Sequence, residues 1–136
     1  KPGDHGLIRT DFPGGWQGDT INAFTGEGLS RDQKDMQSFL KTLLNYRKSS
    51  RAMQAGKTIH FAPKDGIYTL FRMDGDEIVT IILNKTKSNS LSTEIFEEIG
   101  LTGKKVKNVI TGAQSDWKDT IEINPNGVTL LTTKIN

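Results

Sequence analysis

This 136-residue sequence has no cysteine, only two histidines and no long apolar run. Without cysteine, the chain can form neither a disulfide framework nor a thiolate metal site. Its longest apolar run, Ile78–Leu83, is interrupted by Thr80 and is far shorter than the roughly 20 residues that cross a bilayer. The net charge is only +2, and the densest basic cluster, residues 104–107, contains no aromatic residue. We therefore expect neither a membrane nor a nucleic acid as partner.

The overall amino-acid composition and the chain length are those of a single folded domain. Hydrophobic residues make up 34% of the chain and charged residues 25%, which is typical of a globular protein. No signal peptide is recognisable, and the chain begins at Lys1 in a loop-like stretch without an initiator Met. We expect a piece of a larger protein, and the lack of cysteine is compatible with both the periplasm and the cytoplasm.

The only long helical pattern runs over residues 29–55. Its apolar residues recur at the spacing of one helix face and are Met36, Phe39, Leu40, Leu43 and Leu44. Ser30 and Gln33 have the form of a capping box at the start. Ser49 and Ser50 weaken the helix near its end, where Ser50 can cap a last short turn before Gly56 stops it.

Residues 1–28 form a glycine-rich loop that holds seven of the 14 glycines. The segment Asp11–Trp16, with the sequence DFPGGW, must turn, because Pro13 fixes φ and a following glycine can adopt a positive φ. The glycines do not match a phosphate-binding loop. The loop contains too many apolar side chains for a solvated tail, and we expect it to lie on a larger body.

From Gly56 onward the period becomes two, and short strands alternate with glycine and asparagine turns. This pattern predicts an antiparallel β-sandwich of Greek-key type. Asp74-Gly75-Asp76 is a hairpin signal, and residues 77–84 read as a central strand covered on both faces, with Leu83 buried more deeply than Leu131. Residues 91–99 suggest a short strand and one helical turn, and 120–123 and 128–133 suggest a final hairpin.

No set of residues forms a credible active site. His5 and His60 lie in different segments, no carboxylates stand at a metal-binding spacing, and no serine sits on a nucleophile elbow. We therefore predict no catalytic residue, no metal and no cofactor in this chain.

The best candidates for ligand contact are in the glycine-rich loop. Trp16 can stack on a sugar ring, and Arg9 can form charge-assisted hydrogen bonds. The alternatives are that Trp16 anchors the loop and that Arg9 pairs with Asp11. Trp117 is also a possible sugar platform, but we expect it to pack over the edge of the sandwich.

The sequence resembles the C-terminal end of α-amylase-family glycoside hydrolases (family thirteen). The similarity runs from IRTDFPGGWQGD through LLNYRKSS to YTLFRMDGDEIVTIILN, and it is looser after Leu91. The bacterial neopullulanase and cyclomaltodextrinase subgroup of starch-utilisation systems is most similar, with Asp11–Trp16 as the more specific mark. The resemblance implies retaining cleavage of α-1,4-glucosidic bonds of starch, pullulan, cyclodextrin or maltooligosaccharides by an Asp nucleophile and a Glu acid/base.

The resemblance also implies the domain organisation. Residues 1–28 would follow the last strand of a truncated (β/α)8 barrel, 29–55 would be its last helix, and 56–136 the C-terminal β-sandwich. The catalytic carboxylates would lie on strands that precede this sequence, so the chain alone is expected to be inactive. Arg9, Asp11 and Trp16 would border the glucan cleft, because the loop lies at the catalytic face.

A second interpretation stays open, in which the chain is an independent carbohydrate-binding β-sandwich module without catalytic function. It does not explain why the sandwich alone would cover only part of the apolar face of the helix. It also does not explain why the loop contains so many apolar residues. On the first interpretation, we expect an α-glucan as partner of the parent enzyme, export to the periplasm or beyond, and self-association of the isolated chain through the helix 29–55.

Overall fold

The structure is a computed structural model that describes residues 11–135. Within these residues, two α-helices precede eight β-strands, and one 3₁₀ helix lies between the fourth and fifth strands. The elements are α1 (Arg31–Ser49), α2 (Arg51–Ala55), β1 (Lys57–His60), β2 (Ile67–Asp74), β3 (Glu77–Asn84), β4 (Ser90–Ser92), the 3₁₀ helix (Glu94–Ile99), β5 (Lys105–Asn108), β6 (Gln114–Asp116), β7 (Thr120–Glu122) and β8 (Gly127–Thr132). The polypeptide separates into two compact units between Leu40 and Lys41.

The helix ends are those that the sequence predicts. The Gln33 side chain accepts from the Ser30 N–H at 2.8 Å, and the Ser30 hydroxyl accepts from the Gln33 N–H at 3.3 Å, which completes the capping box. The helix breaks at Ser50, whose hydroxyl accepts from the Met53 N–H at 3.1 Å and caps α2.

Gly56 ends α2 because of a close approach and not because of a left-handed backbone. Its φ is −64°, and a Cβ at this position would lie 2.7 Å from the Met73 carbonyl oxygen. The neighbouring Ala52 is fully buried, and its carbonyl accepts from Arg72 Nε at 3.1 Å. Short contacts to the sheet therefore fix the end of the helical segment.

The described strands form an antiparallel sandwich, which confirms the predicted fold class. One sheet has the order β1-β2-β3-β8-β5-β6, and β4 pairs with β7 in a second, two-stranded sheet. Every pairing is antiparallel, and β8 enters between β3 and β5, as in a Greek-key arrangement. The β2–β3 hairpin turns at Gly75, with a φ of 56°, and pairs Asp74 with Glu77, as predicted.

Apolar side chains pack on both faces of the six-stranded sheet. The larger cluster includes side chains of both sheets and of the 3₁₀ helix, among them Phe71, Ile82, Phe96, Trp117 and Leu131. On the opposite face, Ala52, Val79 and Leu130 are buried, and Leu43 and Tyr46 of α1 pack against them. The six-stranded sheet is therefore a middle layer, which explains the nearly continuous apolar sequence of β3.

The burial predicted for Leu83 is wrong, although β3 is central. Leu83 is 41% exposed at the end of β3, whereas Leu131 is only 5% exposed within the larger cluster. Leu83 lies on the face that α1 and α2 cover, but the helices contact the sheet near Val79 and Leu130. The apolar composition of β3 correctly identified it as a central strand, but it did not show which of its residues the helices leave exposed.

The predicted last hairpin is also wrong, because its two strands belong to different sheets. Strand β7 pairs with β4, and β8 pairs with β3 and β5. The connecting segment is bound to the β3–β4 loop instead: Asn84 Nδ2 donates to the Asn124 carbonyl at 2.9 Å, and the Asn126 N–H donates to the Thr86 carbonyl at 2.7 Å. The Asn-Pro-Asn-Gly turn therefore carries the chain from one sheet to the other.

The apolar face of α1 is divided into a packed side and an exposed side. Leu43 packs on the sheet, whereas Met36, Leu40 and Leu44 are 65%, 51% and 57% exposed. Within the part of the chain that the structure describes, no side chain of α1 reaches full burial. We call Met36, Leu40 and Leu44 the exposed stripe of α1.

Candidate functional site

The DFPGGW turn is held by a carboxylate three residues beyond it. The N–H groups of Gly15 and Trp16 both donate to Asp19 Oδ2, at 3.0 and 2.9 Å. The Asp19 N–H in turn donates to the Trp16 carbonyl at 2.9 Å. Hydrogen bonds to an ionised acceptor are stronger than neutral ones, so Asp19 orients the Trp16 backbone.

Glycine fits at each of positions 14 and 15 of the turn for a different structural reason. A Cβ at Gly14 would lie 2.9 Å from the Trp16 indole Nε1, so Gly14 makes room for the indole ring. Gly15 has a φ of 80°, where a side chain is strained, and a Cβ would collide with the Asn22 side chain. The backbone conformation of the turn therefore requires glycine at position 15, while Gly14 leaves space for the observed position of the indole.

Asn22 organises the second half of the loop. Its Oδ1 accepts from the Phe24 and Thr25 N–H groups at 2.9 and 3.1 Å, in an Asx turn. The Ala23 N–H donates to the Pro13 carbonyl at 2.8 Å, and the Gln37 amide of α1 donates to the Ala23 carbonyl. The loop that carries Trp16 is therefore cross-linked by hydrogen bonds and tied to the first half of α1.

The loop presents an exposed aromatic surface. The Trp16 side chain is 76% exposed, and Phe12 and Phe24, also exposed, meet edge to face at 5.3 Å between ring centroids. Asp11 is exposed on the same loop. An exposed indole on a fixed backbone is suited to stack on the apolar face of a sugar ring.

The structure describes two of the three residues that the sequence predicts to contact the substrate. Trp16 and Asp11 lie on one loop, and the structure does not test their binding role. Arg9 lies outside the described residues. The Trp16 ring is mostly exposed within the described residues. Sequence reasoning missed Asp19 and Asn22, although Asp and Asn in a glycine-rich loop often accept hydrogen bonds from nearby backbone N–H groups.

Trp117 packs over the sandwich as predicted, which excludes it as a sugar platform. It is 2% exposed, and its ring centroid lies 6.4 Å from that of Phe71. The Trp117 N–H donates to the Lys104 carbonyl at 2.8 Å. Of the two tryptophans, Trp16 alone presents its ring to the solvent.

The two histidines of the sequence do not form a metal site within residues 11–135. His60 is exposed on β1 and faces Tyr68 edge to face at 6.2 Å. His5 lies outside the described residues. No group of three or more His, Cys, Asp or Glu side chains within residues 11–135 could hold a metal ion. No helix in the same range is long and apolar enough to cross a membrane.

Several solved structures share the fold of this chain. The protein AmyP in complex with maltose has a TM-score of 0.67 at 13% identity, over 80% of this chain and 22% of that chain. The cyclic α-maltosyl-(1→6)-maltose hydrolase of Arthrobacter globiformis has a TM-score of 0.57 at 17% identity, over 80% and 22%. An α-amylase of Anoxybacillus has a TM-score of 0.56 at 20% identity, over 76% and 24%.

This chain thus spans between a fifth and a quarter of the length of each of these proteins. The identities are low, so the comparison with solved structures establishes a shared fold. A family model described as the cyclo-malto-dextrinase C-terminal domain matches residues 58–132, which cover β1 to β8 almost completely. The chain therefore belongs to the family of cyclo-malto-dextrinase C-terminal domains, which are found in glycoside hydrolases of the α-amylase family.

Proposed function

We propose that this chain is the C-terminal part of an α-glucan hydrolase that cleaves α-1,4-glucosidic bonds with retention. The observation that carries the proposal is the family match over residues 58–132, which cover nearly all of the sandwich. Retaining hydrolysis needs two carboxyl groups about 5 Å apart on either side of the scissile bond. These groups would lie in a preceding (β/α)8 barrel, and the chain alone would be inactive. Cyclodextrins, starch, pullulan and maltooligosaccharides are the candidate substrates.

The exposed stripe of α1 supports the assignment of 29–55 as the last helix of that barrel. One side of α1 packs on the sandwich through Leu43 and Tyr46, while Met36, Leu40 and Leu44 remain exposed along another side. A helix that is apolar over two sides normally lies between two packed bodies. In an independent module, this second apolar side would remain in contact with water. In the intact enzyme, we propose that the barrel covers the stripe.

The exposed loop supports a role in holding the glucan. Trp16 would stack on one glucose ring, and Asp11 and Arg9 would bond the sugar hydroxyls at the edge of the cleft. AmyP was solved with maltose bound. Maltose and maltotriose are therefore the natural first probes of this loop.

Tryptophan fluorescence can test the role of the loop in the chain itself. Trp16 is exposed and Trp117 is buried, so acrylamide should quench the emission of Trp16 much more than that of Trp117. Maltotriose at saturating concentration should protect the quenchable fraction. The Trp16→Phe variant should lose both the quenching and the protection, whereas Phe24→Ala, with an equally exposed aromatic removed, should keep the quenching. Quenching of Trp16 that maltotriose does not change would contradict sugar contact by this loop.

An independent carbohydrate-binding module is the second candidate, and the exposed Trp16 is compatible with it. The two functions differ in what the remainder of the gene encodes. If the open reading frame upstream of Lys1 encodes no (β/α)8 barrel with paired carboxylates, the module is the correct interpretation. An upstream barrel would support the hydrolase.

A further inference from the structure

A cavity of about 280 Å³ lies beside the second half of α1, on the face of the large sheet that the helices cover. Tyr46 of α1 and Glu77 of β3 line it, and its wall also includes Lys107, Val109, Thr132 and Lys134. A water molecule occupies about 30 Å³ in the liquid, so the cavity is larger than a single-water site. Its volume is near the lower end of the roughly 300–1,000 Å³ of small-molecule pockets. We call it the Tyr46–Glu77 pocket.

Among the described residues, Glu77 Oε1 is buried without a hydrogen-bond partner, and Tyr46 Oη is buried without a well-formed hydrogen bond, although the Thr132 and Ser50 hydroxyls interact with it. The other carboxylate oxygen, Glu77 Oε2, accepts from the Ala52 N–H at 3.1 Å, so the side chain is held at the start of α2. Buried polar atoms are nearly always satisfied, and an unsatisfied one destabilises the fold. An occupant that bonds both atoms would remove this penalty.

The donors and acceptors of the pocket limit the chemistry of its occupant. Burial raises the pKa of Tyr46, while the Thr132 and Ser50 hydroxyls oppose this and the Glu77 charge adds to it. Tyr46 therefore keeps its proton and is available as a hydrogen-bond donor, whereas the Glu77 carboxylate only accepts. Glu77 disfavours an anion and Lys107 and Lys134 disfavour a cation, so the mixed charges of the wall favour neither kind of ion strongly. A neutral group that both donates and accepts, such as a hydroxyl, meets every requirement.

We propose that the Tyr46–Glu77 pocket binds one ring of a neutral sugar, with a hydroxyl that donates to Glu77 Oε1 and another that accepts from Tyr46 Oη. The lysine ammonium groups would donate to further hydroxyls, and Val109 would contact the carbon skeleton of the ring. At about 280 Å³ the pocket has room for one sugar ring. The lining residues named here all follow Leu40, so the pocket shares no residue with the Trp16 loop and does not depend on the proposed function.

The test is a titration of the ¹⁵N-labelled chain with glucose and with maltose, followed by amide NMR shifts. The Ala52 amide reports on Glu77, because it donates to that carboxylate, and the Thr132 amide reports on the pocket wall. Both should shift in a saturable manner. Tyr46→Phe, which removes only the hydroxyl, and Glu77→Gln, which keeps an oxygen for Ala52, should each weaken the apparent affinity by about tenfold or more.

Two matched variants decide between the pocket and the loop. Tyr68→Phe removes the hydroxyl of a tyrosine on β2 outside the pocket and should leave the shifts and affinity unchanged. Trp16→Ala should also leave them unchanged. Absence of saturable shifts at Ala52 and Thr132, or equal affinity in Tyr46→Phe and the unmodified chain, would overturn the proposal. Shifts that vanish with Trp16→Ala but persist with Tyr46→Phe would overturn it as well, while leaving the role of the loop intact.

Discussion

Replacement of Leu131 by alanine should destabilise the sandwich much more than the same replacement of Leu83. Both leucines lie on central strands of the six-stranded sheet, in β8 and β3. Leu131 is 5% exposed within the main core, and Leu→Ala changes at such sites cost about 2–5 kcal/mol. Leu83 is already 41% exposed, so less burial is lost and the surroundings can relax. Its loss should be about 1 kcal/mol, less than the roughly 1.5–3 kcal/mol for burying a whole leucine.

Urea unfolding followed by tyrosine and tryptophan fluorescence measures this difference. Small proteins lose about 1–3 kcal/mol of stability per molar urea, so a difference of about 2 kcal/mol separates the two midpoints by roughly 1 M. The m-values should agree, because neither change alters the surface exposed on unfolding by much. A Leu83→Ala variant as unstable as Leu131→Ala would show that Leu83 is covered in solution. The reasoning from burial would then be wrong for this face of the sheet.

Three further predictions concern the loop, the buried tyrosine and the exposed stripe. Asp19→Ala should lower the hydrogen-exchange protection of the Gly15 and Trp16 amides by about tenfold, with little change in global stability. Protection equal to that of the unmodified chain would contradict the hydrogen bonds from these amides to Asp19. Because burial raises the pKa of Tyr46 above 10.0, its contribution to stability is present below pH 10 and is lost as pH rises through the raised value. Tyr46→Phe should therefore flatten the alkaline loss seen in urea midpoints, and an unchanged profile would contradict it. The isolated chain should self-associate at tens of micromolar, Leu40→Glu with Leu44→Glu should make it monomeric, and sedimentation that shows only monomer for the unmodified chain would contradict this.

Local signals in the sequence correctly predicted the helix ends and the β2–β3 hairpin. The Ser30–Gln33 capping box and the Ser50 cap form as predicted, because each requires only residues three positions apart. The Asp74–Glu77 turn is also local.

Long-range pairing was not accessible from these local signals. The segments around Asn124 read as a hairpin, yet the turn is bonded to Asn84 and Thr86 on a different connection. Strand β6, Gln114–Asp116, lacks apolar residues and was missed, because an exposed edge strand needs no burial pattern. In the loop, the sequence identified Trp16 as a candidate, but the dependence of its position on Asp19 required the backbone geometry.

We propose that this chain is part of an α-glucan hydrolase and carries no active site of its own. This proposal is tested most directly by the release of reducing sugar from cyclodextrin and soluble starch, measured side by side for the 136-residue chain and for the product of its complete open reading frame. We predict release by the complete product and none above a buffer blank by the chain alone. Turnover by the isolated chain, or a complete product that acts on no α-glucan, would contradict the claim.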